Sequence, residues 1–309
     1  MTRMANRSKM LGGTLMGHIA GIITVSMWGY SFVSSKVLLD NGLGPVQIYV
    51  LRFLLAYILV LALNHGKMFA HSIRDEALFA VCGLCAGSLY FIAENTALEY
   101  TLTTNVSLLT SMSPLITALL VAMVYRTEKL GIGTWVGSFI AIAGVVCVVF
   151  NSSGSLEVRP LGDFLSLAAA FSWSVYSLIL RRLNATYDVW FITRKTFFYG
   201  LVTAVPFLIV EADSVNILIA VQRPQVWGNL LFLGLGASTI AYVLWAVTVR
   251  QVGAVRANNY MYLQSVVTLI VSALVLGERI TVLGCTGIVL ILGGLWLGEN
   301  INRYMARKV

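Results

Sequence analysis

Charge is missing from long stretches of this chain, and that absence constrains the fold more than any motif. No Asp, Glu, Lys or Arg occurs between Lys9 and Lys36. None occurs from Leu130 to Leu156, from Pro224 to Val249, or from Ala257 to Gly277. A helix needs roughly 20 consecutive apolar residues to cross a bilayer core, and these runs approach or exceed that length. Only 11% of the 309 residues are charged and 58% are hydrophobic, whereas a soluble domain carries about 25% charged residues. A water-facing surface cannot be covered with so little charge. The chain reads as an all-α integral membrane protein with many spans.

Ten spans are predicted, at about 14–37, 45–64, 76–98, 103–125, 131–150, 161–181, 187–210, 226–249, 255–276 and 280–299. What remains is short connections, which leave no room for a soluble catalytic or binding domain. The first span is too long for a cleavable signal peptide, and Trp28-Gly29-Tyr30 is not a small-residue cleavage site. The net charge of +8 is a topology signal. With the N-terminus inside, the inner segments hold Arg3, Arg7, Lys9, Lys67, Arg74, Arg126, Lys129, Arg181, Arg182, Arg250, Arg256, Arg303, Arg307 and Lys308. The outer segments hold Lys36, Arg159, Arg223 and Arg279. This positive-inside bias puts both termini in the cytoplasm of a multi-pass inner-membrane protein and removes the reason to expect a nucleic-acid partner. Cys82, Cys85, Cys147 and Cys285 all fall in spans. They are read as small buried packing residues, because metal or redox chemistry needs partners that the chain does not place beside them.

The spans repeat. In "TEKLGIGTWVGSFIAIAGV" (127–145) and "GERITVLGCTGIVLILGGL" (277–295), Glu128, Gly137 and Gly144 recur as Glu278, Gly287 and Gly294 at the same spacings. Trp28 and Trp173 stand in the first helix of each half, and Arg52 and Arg194 in the second. The halves are 14–150 and 161–299. Five spans per half is an odd number, so the second half enters the membrane from the opposite side. Inverted repeats of this kind characterise secondary transporters.

At these residues the chain resembles the drug/metabolite transporter superfamily, in particular its EamA-type members. The resembling pieces are "SMWGYSFVSSKVLL", "GPVQIYVLRFLLAYILVL", "ALEYTLTTNVSLLTSMSPLITALLVAMVYRTEKL" and "LWAVTVRQVGAVRANNYMYLQSVVTLIVSALVLGERIT", with the Gly-rich span that follows. The resemblance implies two inverted EamA repeats around a central cavity and export of small metabolites such as amino acids. The family pattern tends to place Pro in the ninth span, where this chain has Ser265; Pro114 in the fourth span fits.

Ionisable residues inside spans point to function by default. They are Arg52, Glu94, Arg194, Lys195 and Arg256. Arg52 and Glu94 share a depth and are expected to pair, either as a structural tie or with Glu94 titrating or meeting a substrate amine. Glu94 corresponds to Trp245 in the other half. Arg194 and Lys195 are expected to snorkel to the interface. Polar and aromatic residues at helical spacing mark a lined pathway. It comprises Trp28, Ser31 and Ser35; Tyr90 and Glu94; Ser107, Ser111 and Pro114; Trp173 and Tyr176; Tyr242 and Trp245; and Asn258 and Tyr262. Small and hydroxyl residues also serve helix packing, and for the serines alone that reading is the stronger. Pro114 removes a backbone hydrogen bond and frees a carbonyl, which either serves as a ligand or only kinks the helix. The glycines of the fifth and tenth spans read as tight packing, with those helices outside the pathway and at a dimer contact.

The chain has no G-x-x-x-x-G-K-[ST] loop for nucleotide and no G-x-S-x-G or H-E-x-x-H. Neither a cofactor nor a metal nor a catalytic residue is therefore expected. The partners are a small-molecule substrate and the lipid bilayer, with the protein a monomer or homodimer. The reading is a secondary transporter working by alternating access. The alternative is a channel or a lipid-handling, flippase-like protein.

Overall fold

The structure, a computed structural model, describes residues 2–125, 131–151, 160–211, 222–277, 280 and 282–306. Glu128 and Glu278 of the sequence repeat lie outside the described residues. So do Arg126, Lys129, Arg159, Arg279, Arg307 and Lys308, and the side chains of Arg3, Arg7, Lys9 and Arg303.

The first half comprises α1 (Thr2–Asp40), α2 (Pro45–Leu63), α3 (Ile73–Gly83), α4 (Leu89–Tyr100), α5 (Thr103–Thr110), α6 (Ser113–Val124) and α7 (Ile132–Asn151). The second comprises α8 (Pro160–Leu183), α9 (Val189–Glu211), α10 (Pro224–Leu231), α11 (Ala241–Val252), α12 (Ala254–Asn259), α13 (Met261–Val275) and α14 (Val282–Ala306). No strand occurs among the described residues. Seven stretches are long and apolar enough to cross a membrane. They are Thr14–Asp40, Pro45–Leu63, Ile73–Tyr100, Thr103–Val124, Pro160–Leu183, Pro224–Val252 and Val282–Asn302, with Ile132–Gly144 a shorter apolar helix. The other predicted spans differ for local reasons. Charged Arg194, Lys195 and Glu211 stand in α9, and the ninth is divided at Tyr260 into α12 and α13.

Local chemistry sets the ends. α1 stops where "LLDNGL" places Gly42 at φ +90, with Gly42 N–H donating to Leu39 O and Leu43 N–H to Leu38 O. That is the left-handed glycine cap that satisfies the last carbonyls of a helix. α2 then starts on Pro45, whose missing N–H costs nothing in a first turn. The N–H groups of Val46 and Gln47 donate to the two carboxylate oxygens of Glu211 at 2.9 and 2.8 Å, so α9 caps α2 at the end away from the termini.

Each half interrupts its helices at matching places. α3 passes into α4 through a π-helical segment, Leu84–Ser88, where Gly87 leaves helical geometry at φ −115, ψ −105. α10 passes into α11 through a second π segment, Phe232–Ile240. Such segments close their hydrogen bonds over five residues in place of four and recur at functional sites. The first lies against α9 so closely that a Cβ on Gly83 would stand 2.5 Å from Gly200 N. α5 breaks from α6 just before Pro114, and α12 from α13 at Tyr260. The second break forms without proline: Tyr260 N–H donates to Ala257 O and Leu263 N–H to Tyr260 O, three residues back rather than four.

α7 and α14 lie side by side along their length. A Cβ on Gly137 would stand 2.6 Å from Gly294 O, one on Gly133 2.2 Å from Gly298 O, and one on Gly144 2.6 Å from Gly287 O. Glycine permits this approach and any larger residue prevents it. The glycine seam is therefore the tight packing of these two helices that the sequence predicts. Gly137→Val is expected to cost about 1–3 kcal/mol through overpacking. A lowered unfolding temperature in detergent checks this, and an unchanged one contradicts it. The cysteines also divide: Cys82 and Cys85 are buried as expected, Cys147 is half-buried and Cys285 is exposed on α14.

Candidate functional site

The predicted aromatics converge. α1, α4, α8 and α11 bring Trp28, Tyr90, Trp173, Tyr176, Tyr242 and Trp245 into one buried cluster. Trp28 and Trp173, from matching places in the two halves, meet edge to face with ring centres 5.0 Å apart. Trp28 lies 5.1 Å from Trp245, and Trp173 lies 5.0 Å from Tyr176 and 5.3 Å from Tyr90. Two of these rings are bonded to the π segments of the opposite half. Trp28 Nε1 donates to Ala237 O at 2.8 Å, and Tyr242 Oη donates to Ala86 O at 2.6 Å. The indole N–H groups of Trp173 and Trp245 are buried and have no hydrogen-bond partner among the described residues.

Arg52 and Glu94 join the cluster but do not pair. Arg52 is 0% exposed and Glu94 2%. Arg52 Nε donates to Ser238 Oγ at 2.9 Å, in the second π segment. The guanidinium carbon sits 4.4 Å over the Phe91 ring. Its Nη1 and Nη2, Glu94 Oε1 and the Tyr49 phenol lack a hydrogen-bond partner among the described residues. The two charges feel one another, while Tyr90, one turn before Glu94, keeps its phenol against that carboxylate. The tie expected from their common depth is thus a charge interaction without direct contact. A buried charge is costly unless it is fully met, and here each is met only in part: Arg52 keeps Nη1 and Nη2, and Glu94 its Oε1, without a hydrogen-bond partner among the described residues.

The other predicted lining residues lie elsewhere. Ser107 and Ser111 face α13, where Ser107 Oγ donates to Thr268 Oγ1 at 3.0 Å and Ser111 and Ser265 hydroxyls meet at 2.5 Å. This is a hydroxyl seam between helices. The carbonyl freed by Pro114, that of Thr110, accepts from Ser113 Oγ, so the break is capped internally. Ser31 donates to Trp28 O at 2.8 Å, and Ser35 is buried without a bonded partner among the described residues. Asn258 Nδ2 donates to Ala254 O, and Tyr262 packs with Leu108 and Ala141, away from the tryptophans. Sequence reading passed over Tyr49, Phe53 and Phe91, which surround Arg52. Their signal was present at helical spacing, since Tyr49 and Phe53 lie within a turn of Arg52 on α2.

At the end bearing the termini, α9, the first turn of α3 and the segment before it form a polar latch. Lys195 Nζ pairs with Glu76 Oε1, which also accepts from Tyr199 Oη at 2.6 Å. Arg194 donates to the carbonyls of Asn64 and Lys67. Tyr187 Oη donates to Asp75 Oδ2 at 2.8 Å, and Arg250 Nη2 to Tyr187 O at 2.6 Å. Arg194 and Lys195 are buried. Carbonyls and a carboxylate at that end of the bundle meet them within the protein.

Known proteins bear on this arrangement. The profile of the EamA-like transporter family matches residues 15–150 and again 160–298. The chain belongs to the EamA-like transporter family. Among its relatives is an uncharacterised transporter of Archaeoglobus fulgidus, 28% identical over 91% of this chain and 96% of that protein. Another is a probable amino-acid metabolite efflux pump of Escherichia coli, 26% identical over 90% of this chain and 93% of its own length. A third, a probable terminal-alkyne amino-acid exporter of Streptantibioticus cattleyicolor, is 26% identical over 91% and 92%. A solved crystal structure shares the fold at TM-score 0.72 and 19% identity, over 95% of this chain and 98% of that one. This EamA-family chain is accordingly a multi-pass membrane transporter.

Proposed function

We propose that this protein is a secondary transporter that exports small metabolites such as amino acids by alternating access. In this reading it crosses the inner membrane ten times, as two inverted five-helix halves over 14–150 and 161–299, with both termini cytoplasmic. The matching placement of the π segments and helix breaks in the two halves supports the repeat. One observation carries the function: Arg52 and Glu94 stand buried, with polar atoms that no described residue partners, at an aromatic cluster built by both halves. A carrier needs a site at the seam of its halves that each side reaches in turn. The direction and the amino-acid class follow the names of the efflux relatives. The latch on α9 supplies a closed end that must break for access from that side.

The alternative, a lipid-handling protein, is favoured by an apolar groove of about 450 Å³. It lies between α4 and α8 and is lined by Leu89, Ile92, Phe171, Val175 and Phe207 among others. Proteoliposomes separate the two. Amino-acid flux that saturates and shows counterflow is expected. Non-saturating flux far above carrier rates, or scrambling of labelled lipid without amino-acid flux, contradicts the proposal.

A further inference from the structure

The chamber holds one fixed cation and one fixed anion, and their free atoms are of opposite kinds. On the donor side are Arg52 Nη1 and Nη2 and the indole N–H groups of Trp173 and Trp245. On the acceptor side is Glu94 Oε1. All are buried, and none has a hydrogen-bond partner among the described residues. Arg52 is also aimed. Ser238 holds its Nε and the guanidinium carbon lies over the Phe91 ring, so the head group is held while both terminal nitrogens stay without a partner among the described residues. A fork held this way suits the two oxygens of a carboxylate. An ionised Glu94 is an acceptor only, and the aromatic faces of the cluster that Tyr90 joins attract an ammonium group.

We propose that the chamber is a zwitterion site. Arg52 takes the carboxylate of the substrate and Glu94 takes the ammonium of the same molecule, with the aromatic walls against the group between them. This rests on the carrier reading of the same chamber and goes further by requiring both charges in one molecule. A molecule with only one charge leaves the other protein charge buried and unanswered. A site whose buried polar groups are left unpaired rejects such an analogue strongly. The assignment therefore excludes simple amines, simple carboxylates and neutral solutes as good substrates.

The test measures binding to the purified full chain by the change in tryptophan fluorescence. The probes are leucine and phenylalanine, their amides, which keep the ammonium and lose the carboxylate, and 4-methylpentanoate and 3-phenylpropanoate, which keep only the carboxylate. At least one of the two amino acids is expected to bind, with its single-charge analogues weaker by at least about 100-fold. Arg52→Gln is expected to erase the preference over the amide, and Glu94→Gln the preference over the deaminated acid. Arg52→Lys should keep the carboxylate preference at lower affinity.

An analogue that binds as tightly as its parent overturns the site, as does a preference that survives both variants. Failure of both amino acids to bind also overturns it. If a variant does not fold, the analogue series on the unaltered chain decides alone. The carrier reading is judged separately. Saturable counterflow of a singly charged or neutral solute would retain that reading while overturning the zwitterion site. Absence of saturable flux for any solute in a broad panel would overturn the carrier reading itself.

Discussion

Trp173→Ala is expected to abolish transport and lower the stability of the protein together. Trp173 is the ring on which the chamber converges, within 6 Å of Trp28, Tyr90, Tyr176, Tyr242 and Trp245. It is 1% exposed, and truncating a buried tryptophan costs about 3–5 kcal/mol in lost packing and residual cavity. Five rings would lose a neighbour at once, so the position of Tyr90 against Glu94 is lost with them. Trp173→Phe keeps an aromatic surface and removes the indole N–H. It is expected to retain most of the stability and to transport at a reduced rate. Unfolding temperature in detergent and amino-acid flux in proteoliposomes check both variants. Normal transport by Trp173→Ala would show that the rings are core packing and not a substrate wall.

Lys195→Met is expected to open the end of the bundle that bears the termini. Lys195 is buried against Glu76 and also reaches Met68 O at 3.2 Å. Removing one partner of a buried pair leaves the other unanswered, a loss of about 3–5 kcal/mol when burial is complete. Glu76 is one-quarter exposed at its side chain, so solvent offsets part of that cost and the effect falls on the closed arrangement more than on the fold. Cys82 supplies a native reporter, buried in the same core beneath the latch. With Cys85, Cys147 and Cys285 replaced, maleimide labelling of Cys82 is expected to rise several-fold in Lys195→Met and to return to its low level in Lys195→Arg. Equal labelling in all three proteins would remove the latch as a gate.

The family sharpens these expectations without supplying their residues. The amino-acid efflux relatives share about a quarter of their residues with this chain, which fixes the fold and leaves the chamber to be argued from its own geometry. The two π segments matter here because they tie the chamber to the seam. Ala86 O and Ala237 O accept from Tyr242 and Trp28 of the opposite half, so a change in either segment moves rings on the other side.

Charge-free runs determined the membrane class, because a helix in lipid must be apolar over its whole crossing. Recurring Trp, Gly and Glu positions determined that the chain is doubled. Helical spacing identified the faces carrying Trp28, Tyr90, Glu94, Trp173, Tyr176, Tyr242 and Trp245, since side chains three and four residues apart share a face. What a face meets is not written in its own spacing. For the serines of α5 helix packing is the stronger reading, but only the structure names the helix they bond to, α13. Arg194 and Lys195 carry the pattern of residues that reach toward the interface, and what they meet there, the carbonyls of Asn64, Lys67 and Met68 and the Glu76 carboxylate, comes from a distant segment. Spacing puts Arg52 and Glu94 at one depth, yet Arg52 bonds to Ser238 and lies over Phe91 and makes no ion pair with Glu94. The tertiary structure alone decided these three outcomes. Partner, distance and orientation depend on which helices pack together, and that is set by the whole bundle and not by any one helix.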